Sequence, residues 1–403
     1  MQERSQRCMK GAQSVEGANA SRMARGSVFR KNGGWAFRVD AGFHAETGKR
    51  RQLLRQGFST KRAAEEALAE AVGAATRGMA VSRSTVKVGE YLDDWFATAR
   101  PSLRPTTARG YEQSIGRLTR FLGNYQLQAL TPMQVQRCYT DLLESGGHGG
   151  GPLAPKTVRH AHVVLRKSLS DAERMGLVTR NAAAAARPPT GESTELTTWS
   201  SDDLRSFLAA VEGHPYGIAF RLLAATGLRR GEVLGLRWSD VDFDLGQLAV
   251  ANTITEVGAD TVMGPPKTAR SRRNVYLDHR TIAALREHRQ RQRELRLAAG
   301  PAWDSGHDWV LTDELGGFVR PQSMSYAWRK LIRQLDLPRI RLHDLRHTHA
   351  TLALKAGVHP KVVSERLGHA NVGITLDLYS HVVPSLARDA AEQIMSSTYG
   401  EEA

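Results

Sequence analysis

The hydrophobic period of the chain changes twice, and no single compact architecture accommodates all three patterns. From Gly26 to Phe58 apolar and polar residues alternate, with Val28, Trp35, Phe37 and Val39 set around an Asn32-Gly33-Gly34 turn. That alternation puts apolar side chains on one face of a strand and predicts a hairpin. Gly48 to Phe58 reads as a third strand, and Ser59-Thr60 cap an Ala/Glu-rich helix over about Lys61 to Ala75. Strand signals are absent from residues 85–187. Val88, Tyr91, Leu92, Trp95 and Phe96 recur at helical spacing there, and Thr106 to Phe121, Thr131 to Glu144 and Pro155 to Arg174 give three more helices. From Trp199 onward helices are interrupted by short strands. The fold class expected is a multidomain protein, mainly α with small β-sheets.

The boundaries follow from composition. Residues 1–25 are polar and aperiodic and read as a disordered tail. A β-sheet and helix module fills 26–80, and a helical domain of four to five helices fills 85–187, with Gly146 to Pro152 as a loop. The Ala/Pro-rich run from Asn181 to Thr190 and the polar stretch to Thr198 lead out of it, giving a linker at 188–198. An α+β domain occupies 199–395. In it, Leu245 to Thr255 and Arg272 to Leu277 read as hairpin strands, and Ser385 to Met395 as a closing amphipathic helix.

Charge narrows the partners. The 403 residues carry a net charge of +15, and Met1 to Val86 alone hold 16 basic and 7 acidic side chains. Such a chain is drawn to polyanions, since each cation placed on a phosphate releases condensed counterions. A polar start and the lack of any apolar run of membrane-spanning length predict a cytoplasmic protein without a membrane partner. Two cysteines, Cys8 and Cys138, far apart in sequence, argue against a disulfide framework and a cysteine-based zinc site.

Four local signatures stand in order in the last half. In Thr226-Gly227-Leu228-Arg229 an apolar helix ends at a glycine and an arginine occupies the turn, with Glu232 in the first turn of the next helix. Arg230 is the immediate neighbour that could be confused with Arg229. Lys267 falls at the tip of a hairpin before Asn274-Val275-Tyr276. His343 and Arg346, three residues apart, share a helical face. Leu367-Gly368-His369 is followed ten residues later by Tyr379. Singly, each has an ordinary reading as a solvated, capping or packing residue. His347 and His349 are assigned to packing or capping, Tyr276 and Tyr326 to packing, and Arg237 to the surface.

Taken together the four signatures resemble the tyrosine recombinase (phage integrase) family, across about Trp199 to Val383. The resemblance extends to its helical, SAM-like core-binding domain and its arm-binding module. It implies a DNA strand-exchange enzyme in which Arg229 and Arg346 bind the scissile phosphate and Tyr379 attacks phosphorus to form a 3′-phosphotyrosine. Lys267 is implied as the general acid for the leaving 5′-oxygen, His369 as a phosphate ligand and His343 in proton handling. Glu232 braces the turn of Arg229. Guanidinium suits the role because it stays charged and donates two parallel hydrogen bonds to phosphate. No metal and no other cofactor is implied.

Contacts to double-stranded DNA attachment sites are expected from Lys49, Arg50 and Arg51 in the first module. In the helical domain they are expected from Arg104, Thr106, Thr107, Lys156, Thr157 and Arg159, which open two helices. The resemblance further implies a homotetramer on DNA, with a host bending protein and an excision factor as accessory partners. A type IB topoisomerase is the rival with the same chemistry, and a DNA-binding repressor that has lost catalysis is the rival without it. The extra N-terminal module favours a mobile-element integrase.

Overall fold

Alternation at the N-terminus becomes a three-stranded antiparallel sheet in the order β1 (Gly26–Lys31), β2 (Gly34–Phe43), β3 (Arg50–Phe58). The computed structural model describes residues 26–43, 50–76, 84–191, 197–258, 260–266 and 272–378. The expected N-terminal tail and C-terminal helix lie outside the described residues. The chain divides into two compact units, Met1–Glu192 and Ser193–Ala403.

In the first unit Asn32 (φ 49°) and Gly33 (φ 78°) make the tight turn that pairs Lys31 with Gly34 and Val28 with Phe37. Positive φ at both central residues matches strand twist, which is why Asn-Gly was informative. Helix α1 (Lys61–Thr76) packs chiefly against β2, where Phe37 and Val39 are buried. The helices α2 (Val88–Ala99), α3 (Pro105–Leu122), α4 (Pro132–Ser145) and α5 (Pro155–Arg174) enclose a core that includes Leu92, Leu118, Leu142 and Leu165. Helices α3 to α5 each start on a proline, whose fixed φ and missing N–H suit the first helical position. The two buried tyrosine hydroxyls find partners: Tyr91 Oη donates to Ser168 O at 2.6 Å, and Tyr139 Oη meets His162 Nδ1 at 2.7 Å.

The Asn181–Arg187 run is not the slack exit its composition suggests. Ala182, Ala183 and Ala186 are buried on the helical core, while Asn181 donates to Arg166 O and accepts from the Ala183 and Ala184 N–H groups. Small side chains fit a close approach, and one asparagine satisfies the turn's backbone.

The second unit holds α6 (Ser201–Ala210), α7 (Gly217–Thr226), α8 (Arg230–Leu234), α9 (His279–Ala299), α10 (Pro321–Leu331), α11 (Asp344–Lys355), α12 (Pro360–Leu367) and α13 (Val372–Leu378). Its core is knitted by Trp199, Phe207, Phe220 and Trp328, with Phe207 and Trp328 ring centroids 5.3 Å apart and Phe220 and Trp328 5.5 Å apart. Both indoles are satisfied, Trp199 on Pro338 O and Trp328 on Ile340 O. Emptying such a site, as in Phe220→Ala, costs about 3–5 kcal/mol.

The sheet region differs from expectation. Leu245 to Thr255 is two strands rather than one, β5 (Gln247–Ala249) and β6 (Thr253–Val257). β5 joins β4 (Val241–Asp242) and β8 (Asn274–Tyr276), with Leu248 opposite Val275. β6 instead pairs with β7 (Asp260–Gly264), a strand too polar to stand out by period. Tyr276 and Tyr326 are two-thirds exposed rather than packed, and Arg237 is only partly exposed, its guanidinium 5.2 Å over the Trp309 ring. The alternation of β8 buries Val275 and turns Tyr276 outward.

Candidate active site

The site begins where α7 stops. Gly227 caps α7 in the left-handed region (φ 68°), and a Cβ there would lie 2.5 Å from Leu367 Cδ2 and 2.9 Å from His349 Cδ2. Glycine is therefore needed twice over, for conformation and for room. The released chain places Arg229 as the N-cap of α8. Its N–H and its Nη1 both reach the Glu232 carboxylate, at 3.0 and 2.8 Å.

Glu232 is buried, yet four hydrogen bonds converge on it, the other two from Arg273 (Nη2 to Oε2 2.9 Å, Nη1 to Oε1 3.4 Å). Burial by itself would raise the pKa of Glu232. Hydrogen bonding and charge from Arg273, and then from Arg229, hold it below the usual carboxylate value. The two guanidiniums differ in access: the Arg229 side chain is 41% exposed and that of Arg273 is 7% exposed. Arg230 is engaged elsewhere, on Pro321 O and Ser325 of α10.

Arg346, in the first turn of α11 and 3% exposed, spans the site. Its Nη1 donates to Gly227 O and its Nη2 to Leu367 O, both at 2.7 Å. One side chain thus ties the Arg229 turn to the C-terminus of α12. His343 sits one step earlier than expected, as the N-cap of α11 rather than inside it. Its ring meets buried His347 edge-on, centroids 5.2 Å apart. The His343 ring keeps a solvent-facing side, but packing against protein and the nearby cations lower its pKa to about 4.

α12 ends at Gly368, again left-handed (φ 69°), which delivers His369 beside the arginines. Thr375, fully buried, holds His369 Nδ1 at 2.8 Å. Burial and then the charges of Arg346, Arg229, His347 and Arg273 push the His369 pKa down to about 4. The same charges act on both imidazoles, so Arg229, Arg346, His343 and His369 occupy one locality. A cleft of about 540 Å³ borders His369 and Arg273, with Ser364, Gly368 and Asn371 also in its wall; Arg229, Arg346 and His343 do not line it. A second cavity, about 680 Å³ and bordered by Leu208, His214, Tyr216 and His288, includes none of these residues.

Lys267, Tyr379 and Lys49 lie outside the described residues, and of Arg50 and Arg51 only the β3 backbone is described. Arg104 is the N-cap of α3, with Thr106 and Thr107 exposed in its first turn, and Lys156, Thr157 and Arg159 open α5. The motifs did not point to Arg273, Thr375 or Arg366, whose guanidinium reaches His349 and Ala225 O. The one local signal that could have led to Arg273 is that Glu232 is followed by Val233 and Leu234 in a short helix, a setting in which a buried carboxylate needs more than one cation. His349 packs as expected, with Nδ1 on Ala224 O at 3.0 Å. Among the described residues no cluster of three or more His, Cys, Asp or Glu could hold a metal ion, and no helix is long and apolar enough to cross a membrane.

Comparison with known proteins gives three family matches along the chain. They are the arm DNA-binding domain over residues 28–73, the phage integrase N-terminal SAM-like domain over 87–143, and the phage integrase family over 198–385. A tyrosine recombinase XerC-like protein of Caldanaerobacter subterraneus subsp. tengcongensis is 31% identical over 92% of this chain and 99% of its own length. The ICEBs1 integrase of Bacillus subtilis is 24% identical over 90% and 97%. Among solved structures, the Tn1549 transposon integrase in complex with a circular intermediate DNA superposes with a TM-score of 0.65 at 19% identity, covering 77% of this chain and 99% of that one. That likeness concerns the fold.

Proposed function

This chain belongs to the phage integrase family of tyrosine recombinases, the enzymes that cut and rejoin DNA strands, and from that premise we propose that it integrates and excises a mobile element through a 3′-phosphotyrosine on Tyr379. The observation that carries the reading is the convergence of Arg229, Arg346 and His369 from three separate segments: Arg346 ties the turn before Arg229 to the end of α12, just before His369, and the one carboxylate bonded to Arg229, Glu232, is already paired. Attack on a phosphodiester builds charge on the non-bridging oxygens, and fixed donors in a partly desolvated site stabilise it without reorganising. Arg229 uses Nη1 for Glu232 and turns a 41% exposed side chain outward, so it is suited to reach a phosphate oxygen.

His369, neutral at pH 7, has its Nδ1 paired with Thr375 Oγ1; with the threonine hydroxyl as donor, the ring proton rests on Nε2, from which it donates to phosphate. His343, also neutral, accepts the proton that Tyr379 loses. Lys267 protonates the leaving 5′-oxygen. Because the phosphotyrosine conserves the energy of the broken bond, religation needs no nucleotide triphosphate.

DNA contacts are assigned to the N-termini of α3 and α5, through Arg104, Thr106, Thr107, Lys156, Thr157 and Arg159, and in the arm module to Lys49, Arg50 and Arg51. The described part of that module adds exposed Arg30 and Arg38, braced over the Trp35 and Phe29 rings at 5.4 and 6.0 Å. The domain limits of the reading are 26–80, 85–187 and 199–395. It places the enzyme in the cytoplasm as a tetramer on paired attachment sites, with a host bending protein and an excision factor setting direction.

Tyr379→Phe is the test. On a nicked suicide substrate the variant is expected to bind core DNA as wild type does and to form no covalent adduct. An adduct of wild-type yield in Tyr379→Phe contradicts the assignment.

A further inference from the structure

We propose that Arg273 is a positioning residue for strand cleavage, clamping the Arg229 turn to the segment that carries His369. The inference rests on the recombinase reading above. The Arg273 side chain is 7% exposed, and each of its three guanidinium nitrogens has a protein acceptor. Nη1 and Nη2 hold the two Glu232 oxygens, and Nε donates to Arg366 O at 2.7 Å. So committed, it is poorly placed to bind substrate itself. Its partners are what matter.

Glu232 holds Arg229 by both backbone and side chain. A lone Arg229–Glu232 pair would be electrically neutral and a weak lure for phosphate. Arg273 restores a net positive charge to the trio and occupies carboxylate lone pairs that would otherwise draw the Arg229 guanidinium fully onto Glu232. On its other side, Arg366 O is one of the last carbonyls of α12, left without a partner inside the helix. Arg273 satisfies this one while Arg346 satisfies the next, at Leu367. Gly368 completes the fit: a Cβ there would lie 2.9 Å from Arg273 Nη1. The bare turn before His369 therefore rests directly on the guanidinium.

The experiment compares single-turnover adduct formation by wild type, Arg273→Gln and Arg273→Lys on a core-site suicide substrate. Each protein is assayed on the normal scissile phosphate and on a neutral methylphosphonate in its place. Core-site binding by gel shift is followed in parallel. Arg273→Gln is expected to bind DNA and lose about 10²-fold in rate on the charged phosphate, the scale of a misplaced reacting group. Its loss on the methylphosphonate is expected to be clearly smaller, because less charge awaits Arg229 there. Arg273→Lys keeps the charge on Glu232 but not the fork and is expected to lose about tenfold.

Equal losses on both substrates would mean a merely structural role and overturn the proposal. So would Arg273→Gln or Arg273→Lys within about twofold of wild type, too small a change for a lost transition-state alignment. Wild-type protein that forms no adduct overturns the recombinase reading and this inference with it. A wild-type adduct beside an unimpaired Arg273→Gln overturns the inference alone.

Discussion

One set of cations in each compact unit lies against helix ends, and the two sets lie at opposite ends. In the first, Arg104 caps the N-terminus of α3, and Lys156 and Arg159 crowd the start of α5, all exposed. Cations at the positive end of a helix dipole are unfavourable until an anion arrives. In the second unit, Arg273 and Arg346 lie buried on the C-terminal carbonyls of α12, where dipole and hydrogen bonding both favour them. One set is poised for a ligand, and the other is part of the fold. Substitutions should separate them: the buried arginines control rate and stability, the exposed ones only affinity.

Arg346→Met presses hardest on that contrast. It strands Gly227 O and Leu367 O without their donor, and unmet buried acceptors cost about 1–3 kcal/mol each. Equilibrium denaturation of the protein should register a loss of about 2–4 kcal/mol in the catalytic unit, with adduct formation falling below detection. Unchanged stability would mean that Arg346 is not the tie between the two turns.

A smaller effect is expected from pH. His343, His349 and His369 have pKa values lowered to about 4 from the usual 6.5, by burial and then by neighbouring positive charge. Between those limits the unfolded chain binds protons that the folded protein refuses, so stability falls as pH drops from about 6.5 toward 4 and is indifferent to these groups above it. Below that range Glu232 and Asp344 take over. Their folded pKa values are lowered despite burial, chiefly by Arg273 and Arg341, so their contribution disappears as pH passes down through them. The thermal midpoint measured from pH 7 to 5 should fall, and His369→Asn should flatten the slope. A slope unaltered in that variant contradicts a neutral, enclosed His369.

The smallest expected change comes from the exposed set. Arg159→Ala should leave stability and core cleavage at saturating DNA unaltered, weaken binding uniformly across sequences, and reduce the slope of log affinity against log salt by about 1. A stability loss comparable to that of Arg346→Met would erase the distinction between the units.

The same contrast explains what could be read from the sequence. Arg229, Glu232, His343, Arg346 and His369 could be singled out because they lie in short motifs whose joint order resembles the tyrosine recombinase family, although each motif alone has an ordinary reading. Arg273 was not, since its partners lie 41 and 93 residues away and nothing local distinguishes it from Arg272 beside it. Thr375 escaped notice because a threonine in a short helix has no signature until His369 is seen to need one. The β6–β7 hairpin was missed because Thr253 to Gly264 is too polar for alternation to show, and the Asn181–Arg187 run because small alanines pack as well as they form linkers.

The most direct measurement is to map the covalent adduct on wild-type protein. A suicide core site is digested after reaction and the DNA-linked peptide is sequenced by mass spectrometry. The account predicts one peptide, containing Tyr379, joined through a 3′-phosphate. A linkage to any other residue, or to a 5′-phosphate, contradicts it.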